Sequence, residues 1–334
     1  MQARVRTALL IVGLMLLCGV GPAAAIVGGY LVPAGQFPFA ARILITDGSS
    51  HSQCSGSVVR PDVVMTAAHC VVNASTGRLL SPRDFVVDTT GPDVSVGDAY
   101  AHTVGQVLRY PKFSVTTRRG DIAFLQLTSA SGAHAVRLAG AADASWAYLP
   151  GRAIWAAGFG MLSARAAETP SQPLYAVKLA VLNRTTCTTD DARGLPYIPS
   201  AMFCGALPSL KQGICYGDSG GPVVEPSPSG TLMEVGLTSY VSTSTGSCTP
   251  PSYFVRLIAF APWISTQIAH LQLTSACPTL RVHYRQGIAL IAYYRRLLGD
   301  RLSTSVQRRM RTALSRATTR TAWDLAALCA HACG

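Results

Sequence analysis

The chain has 334 residues, with 28 Lys and Arg against 16 Asp and Glu, a net charge of +12, 49% hydrophobic residues and ten cysteines. No C-x-x-C pair or His/Cys cluster with zinc spacing occurs, which excludes an obvious metal module and favours disulfides. The segment from Leu271 onward carries +8 and the first 25 residues +2, which leaves only +2 for residues 26–270. The basicity belongs to the tail.

In chain order, Arg4 and Arg6 precede the apolar run Ala8 to Val20 and then Ala23-Ala24-Ala25. A basic start, an apolar core and an A-x-A end predict a secretory signal peptide over 1–25, and therefore a secreted, extracellular protein. Cys18 in "LLCG" invites a lipoprotein reading, but Leu17 is large where such a site wants a small residue. Past this run no stretch approaches ~18 unbroken apolar residues, so a soluble mature protein is expected.

Residues 26–270 alternate short β-prone runs with clusters of Gly, Pro, Ser and Asp. "ARILIT", "SGSVV", "DVVMTAA", "DIAFLQL", "RAIWAAGFG", "YAVKLAVL", "GPVVE" and "EVGLTSYV" are the predicted strands. Many short strands with turn signals predict an all-β barrel or sandwich. In "PWISTQIAHLQL" the period changes, and Trp263, Ile264, Ile268 and Leu271 fall at helical spacing. After Cys277, "RVHYRQGIALIAYYRRLLGD", "SVQRRMRTALSRA" and "AWDLAALCAHA" read as three further helices, with breaks at Gly299-Asp300 and "ATTRTA". The predicted domains are a signal peptide at 1–25, a barrel domain at 26–272 and a basic helical extension at 273–334.

Four motifs stand in a telling order: "IVGGY" at 26–30, "TAAHC" at 66–70, "DIAFLQL" at 121–127 and "CYGDSGGP" at 215–222, with "QFPF", "MFC" and "PWI" between and after them. From Ile26 to about His270 the chain resembles the trypsin/chymotrypsin family of serine endopeptidases. The resemblance implies two antiparallel six-stranded β-barrels, a C-terminal helix, and peptide or protein substrates cleaved by acyl-enzyme chemistry with no metal or organic cofactor.

Its implied residue roles follow from the chemistry. A serine hydroxyl is a poor nucleophile at neutral pH and needs a base within reach. By resemblance Ser219 is the nucleophile, His69 the base and Asp121 the carboxylate that fixes the His69 tautomer and stabilises its cation. The N–H groups of Gly217 and Ser219 would form the oxyanion hole. The free amine of Ile26 would pair with Asp218, since a buried carboxylate is costly unless paired. Because Ala25 directly precedes Ile26, signal cleavage would itself expose that amine. Cleavage a few residues earlier, leaving a short propeptide, is the alternative. Implied bridges are Cys54–Cys70, Cys187–Cys204 and Cys215–Cys248, which leaves Cys277, Cys329 and Cys333 in the tail.

Specificity is read from the pocket. Gly213 stands six residues before Ser219, where a trypsin-like enzyme would carry Asp, so Arg or Lys would lack a counter-charge. Ser239 and Tyr240 match the family's substrate-pairing segment, while Val241 and Ser252 stand where wall glycines are usual. These choices predict an elastase-like preference for small or medium apolar residues, with a chymotrypsin-like preference as runner-up. Phe159 and Tyr240 replace family tryptophans while keeping bulk. Asp93 and Asp98 read as turn residues rather than a calcium loop, and Asn73 and Asn183 sit in glycosylation sequons.

In the tail Tyr284, Tyr293 and Tyr294 stand beside Arg285, Arg295 and Arg296, which suits an interfacial helix meeting an anionic membrane or cell-wall surface. The plainer reading is a solvated basic face on helices packed against the barrel. No recognised nucleic-acid-binding fold occurs, so nucleic acid is not an expected partner. A monomer is expected. The competing function is a secreted binding protein on the same scaffold with an idle site.

Overall fold

A computed structural model describes residues 26–89, 101–161, 173–187, 195–207, 212–242 and 248–273, together with tail positions 312, 315, 316 and 318–320. Two closed sheets dominate. In the first, β2 (Ala40–Asp47), β3 (Ser50–Arg60), β4 (Val63–Thr66), β7 (Ala123–Leu127), β6 (Ala101–Arg109) and β5 (Phe85–Thr89) close on one another in that order. In the second, β9 (Ala153–Gly158), β10 (Tyr175–Val181), β11 (Met202–Ala206), β14 (Thr249–Arg256), β13 (Leu232–Ser242) and β12 (Pro222–Pro226) run in sequence, and β12 returns to β9. The short β1 (Tyr30–Leu31) adds to β10, and β8 (Arg137–Leu138) lies parallel to β13. These are the two antiparallel six-stranded barrels expected.

Closure removes sheet edges and fills each interior with alternate side chains. Ile43, Met65, Phe85, Phe124 and Leu125 are fully buried in the first barrel, and Ile154, Val235 and Phe254 in the second. Each such side chain contributes roughly 1.5–3 kcal/mol by leaving water. Helix α1 (Ala261–Leu273) leaves the second barrel and packs on the first. Trp263 stacks on Phe124 at 5.3 Å, and Tyr110 meets Trp263 and Phe260 edge-on at 5.2 and 5.1 Å. Arg60 and Gln126 of the first barrel donate to the Ile268 and Leu271 carbonyls at 2.9 and 3.3 Å, and Leu271 is among the acceptors that the last helical turn leaves open.

Disulfides join Cys54 to Cys70, Cys187 to Cys204 and Cys215 to Cys248. Cys277, Cys329 and Cys333, the signal segment, the Asp93–Asp98 loop and the tail tyrosines lie outside the described residues. The described tail positions are helical, and Thr319 Oγ1 donates to the Ser315 carbonyl one turn back.

Candidate active site

The histidine arrives at the end of β4. The chain leaves the strand at Thr66 and turns through a short 3-10 helix, Ala68–Val71, that carries His69 with its side chain 17% exposed. Cys70 in the same turn is bridged to Cys54 on β3, which pins the helix to the barrel wall. The Cys54, Cys70 and His69 ligand atoms gather within 4.8 Å, but the sulfurs are bonded to each other and offer no thiolate.

Asp121 enters two residues before β7 and is fully buried. Its Oδ2 faces His69 Nδ1 at 2.8 Å, and its Oδ1 accepts from the His69 backbone N–H at 2.8 Å. Both oxygens thus hold one residue in place. Burial pushes the Asp121 carboxyl up, but His69, Arg118 and Ser239 together outweigh it and hold the group below its ordinary value. Gly120 explains the approach. Its φ is +70°, and a Cβ there would lie 2.5 Å from the Tyr110 ring, so the aspartate loop rests directly on the aromatic cluster under α1.

The "GDSGG" turn lies between Cys215 and β12, and its contacts run to the first barrel. The Ser55 N–H donates to the Ser219 carbonyl at 2.8 Å, and the Ser55 hydroxyl donates to the Gly217 carbonyl at 2.9 Å. Thr66 Oγ1 donates to the Ser55 carbonyl at 2.8 Å. Gly220 presses on the histidine loop, where a Cβ would lie 2.1 Å from Thr66 Oγ1 and 2.6 Å from the Ala67 nitrogen. Ser219 is therefore brought beside the His69 turn by contacts that cross the seam between barrels. No hydrogen bond joins the Ser219 hydroxyl to His69 among the described residues; such contacts commonly tighten only when substrate binds.

Within the turn, the N–H groups of Asp218, Gly220 and Gly221 are spent on the carbonyls of Cys215, Thr238 and Asp218. Those of Gly217 and Ser219 have no acceptor among the described residues. Gly217 has φ +92°, and a Cβ would meet the Gly160 Cα at 2.9 Å. Two unspent donors on one tight turn are the minimum that an oxyanion needs.

Asp218 is fully buried and accepts from the Gly160 and Cys215 N–H groups, both at 2.8 Å. Burial raises its carboxyl to about 7 against those two donors. Among the described residues no ion pair reaches it. Ile26 is fully buried, with φ +59°, and Val27 bridges Gly213.

Several of the residues expected to line the pocket are neighbours. Val241 on β13 pairs directly with Ser252 on β14, and a Cβ at Gly213 would lie 2.9 Å from the Ser252 hydroxyl. That hydroxyl accepts from the Ile214 N–H at 3.3 Å. Tyr240 stacks on Tyr253 at 4.5 Å and donates to the Pro196 carbonyl, so its ring is held in the wall. Phe159 is fully buried. Asn73 donates to Asp47 at 2.6 Å, so a glycan there would remove a hydrogen bond, whereas Asn183 is exposed.

Two contributors, Ser55 and Arg118, escaped the sequence reading, and Ser239 makes a contact that its expected place on the pairing strand did not assign. Ser239 donates to Asp121 Oδ2 at 2.6 Å, in addition to its place on the pairing strand. Ser55 clamps the nucleophile turn, and only its position after Cys54 hinted at proximity. Arg118, with φ +55°, adds positive potential at Asp121.

Comparison with known proteins then places the chain. The family model described as Trypsin matches residues 26–264. The chain belongs to the trypsin family. It is 29% identical over 248 residues to human Serine protease 56, covering 73% of this chain and 39% of that protein. To the mouse Serine protease 56 it is 30% identical over 249 residues, again 73% of this chain and 39% of the relative. The chain thus spans about two fifths of the length of these relatives. The match ends within α1 and leaves the basic tail outside.

Proposed function

We propose that the protein is a serine endopeptidase, with Ser219 as nucleophile, His69 as general base and then acid, and Asp121 as orienting carboxylate. The observation that carries this is the buried Asp121 holding His69 through both carboxylate oxygens, at 2.8 Å each, in front of the "GDSGG" turn. In this reading Ser219 Oγ attacks the scissile carbonyl while its proton passes to His69 Nε2. The resulting oxyanion is received by the Gly217 and Ser219 N–H groups. The imidazolium returns the proton to the leaving amine, and water repeats the cycle on the acyl-enzyme.

Specificity in this reading is elastase-like. Gly213 provides no carboxylate, and the Val241–Ser252 pair narrows the wall, which supports small or medium apolar side chains before the cut. The protein is proposed to be secreted and monomeric, with the arginine-rich extension from about residue 273 facing an anionic surface. Activation is proposed to follow cleavage after Ala25. The freed Ile26 amine then supplies the cation that the buried Asp218 lacks, which favours the carboxylate over its protonated form.

Freshly secreted protein, with no activating protease added, should hydrolyse Ala and Val p-nitroanilides faster than Phe, and Arg least. Val241→Gly should raise Phe turnover relative to Ala by about tenfold, the scale of a hydrophobic pocket contact. Ser219→Ala should be silent. Faster cleavage after Arg would overturn the specificity, and inert protein with Ile26 at its sequenced N-terminus would favour an idle binding scaffold.

A further inference from the structure

Away from the catalytic turn, a second polar cluster lies at the far end of the first barrel. His102, the second residue of β6, is almost wholly buried, which is unusual for an imidazole distant from any proposed chemistry. Its Nε2 faces Thr89 Oγ1 at 3.3 Å and its Nδ1 faces Ser129 Oγ at 2.9 Å. Onto this pair comes a residue from the tail. Arg320 Nη2 donates to Ser129 Oγ at 2.5 Å and lies 3.4 Å from His102 Nδ1.

The donors can be ordered in one direction only. A guanidinium has no acceptor, so Ser129 accepts from Arg320, and Arg320 Nη2 also donates to His102 Nδ1 at 3.4 Å, which makes Nδ1 an acceptor and turns the Ser129 hydrogen toward it. Nδ1 is then the accepting nitrogen of a neutral ring, and Nε2–H donates to Thr89. The chain Arg320 to Ser129 to His102 to Thr89 leaves no donor facing a donor. Such a relay strengthens along its length, and its first bond is charge-assisted.

We propose that the His102–Ser129 notch is the receptor for this chain's own C-terminal segment, with Arg320 as the anchor that fixes the segment to the first barrel. Placement gives the dock its meaning. Ser129 lies two residues beyond β7, whereas Asp121 lies two residues before it. The anchor therefore lies at the other end of β7 from Asp121. Arg316, on the same helical stretch, is exposed. The proposal does not depend on the enzymatic reading.

Backbone amide exchange of the full-length chain tests this directly. Arg320→Ala and Ser129→Ala should each speed exchange at Thr318, Thr319 and Arg320 by about tenfold, the scale of one charge-assisted hydrogen bond. The double variant should exchange no faster than Arg320→Ala alone, because Arg320→Ala already removes every contact that Ser129→Ala removes. Exchange in β7 should stay unchanged in all three, which separates lost docking from a damaged barrel. Unchanged exchange in the single variants, or effects that multiply in the double one, would overturn the proposal.

Discussion

Ser239 occupies the point where β13 holds one residue more than β14. Thr238 pairs with Phe254 and Tyr240 with Tyr253, and Ser239 is the surplus between them. A bulge re-aims its side chain, and here the hydroxyl turns onto Asp121. Ser239→Ala should therefore lower kcat by about tenfold with little change in KM, since the lost bond is charge-assisted and the substrate-pairing backbone stays. An unchanged kcat, or a loss confined to KM, would assign Ser239 to the pairing strand alone. The proposed triad positions stand out in the sequence because each carries a distinctive neighbourhood. Ser239 was legible only as a strand residue, because which way it points depends on a register set by β14. Ser55 was less legible still, since a small serine after a cysteine has no signature for a clamp.

At the scale of elements, the nucleophile turn is shaped less by its own strand than by β3 and the histidine loop. Gly220 lies with φ +79° against Thr66, Ala67 and the Ser55 carbonyl. A methyl group there meets backbone on two sides and cannot be relieved by a rotamer change. Gly220→Ala should cost at least about 3 kcal/mol in stability, combining strained φ with overpacking. It should also abolish turnover, measurable by urea unfolding and active-site titration with a fluorophosphonate. A stable, fully labelled variant would refute this account of the turn. Strands such as "RAIWAAGFG" and "GPVVE" were readable from β-branched runs bounded by glycine and proline. The pairing of β5 with β6 was not, because "FVVDT" and "AHTVGQVLR" alternate weakly and their partnership is decided by closure of the barrel. Likewise the helical period of α1 was visible in Trp263, Ile264, Ile268 and Leu271. Its destination on the first barrel, through Tyr110 and Phe124, was not.

For the whole molecule, the revealing group is Glu234. It is fully buried on β13, neither carboxylate oxygen has a hydrogen bond of normal geometry, and the nearest hydroxyl is Ser57 on β3 of the other barrel. Burial raises it to about 8, with Ser57 offsetting only part. The folded protein thus keeps a proton that the unfolded chain releases above about 4.5. Stability is present in full below that value and is lost as pH rises through about 8, by about 1 kcal/mol per pH unit. Asp218, raised to about 7, and Glu225, raised above its ordinary value, slope the same way, so Glu234 is read from the difference between parent and variant. Urea unfolding of Glu234→Gln should decline less steeply from pH 7 to 8 than the parent does. Parallel curves would show that Glu234 is ionised without penalty. The sequence placed this glutamate in an apolar strand, but only the meeting of two barrels makes it costly.

The Ser55 clamp has one more consequence. The proposed base and nucleophile come from different barrels, and one serine on β3 touches the carbonyls of both Gly217 and Ser219. The expectation is that slippage between the barrels breaks the register of those groups before either sheet unfolds. Turnover is then a gauge of how the halves are seated rather than of whether they are folded. In a urea titration, activity should vanish at a lower concentration than the β-sheet circular dichroism signal, and the gap between the two midpoints should widen in Ser55→Ala. Coincident midpoints in both proteins would mean that the halves part only when they unfold.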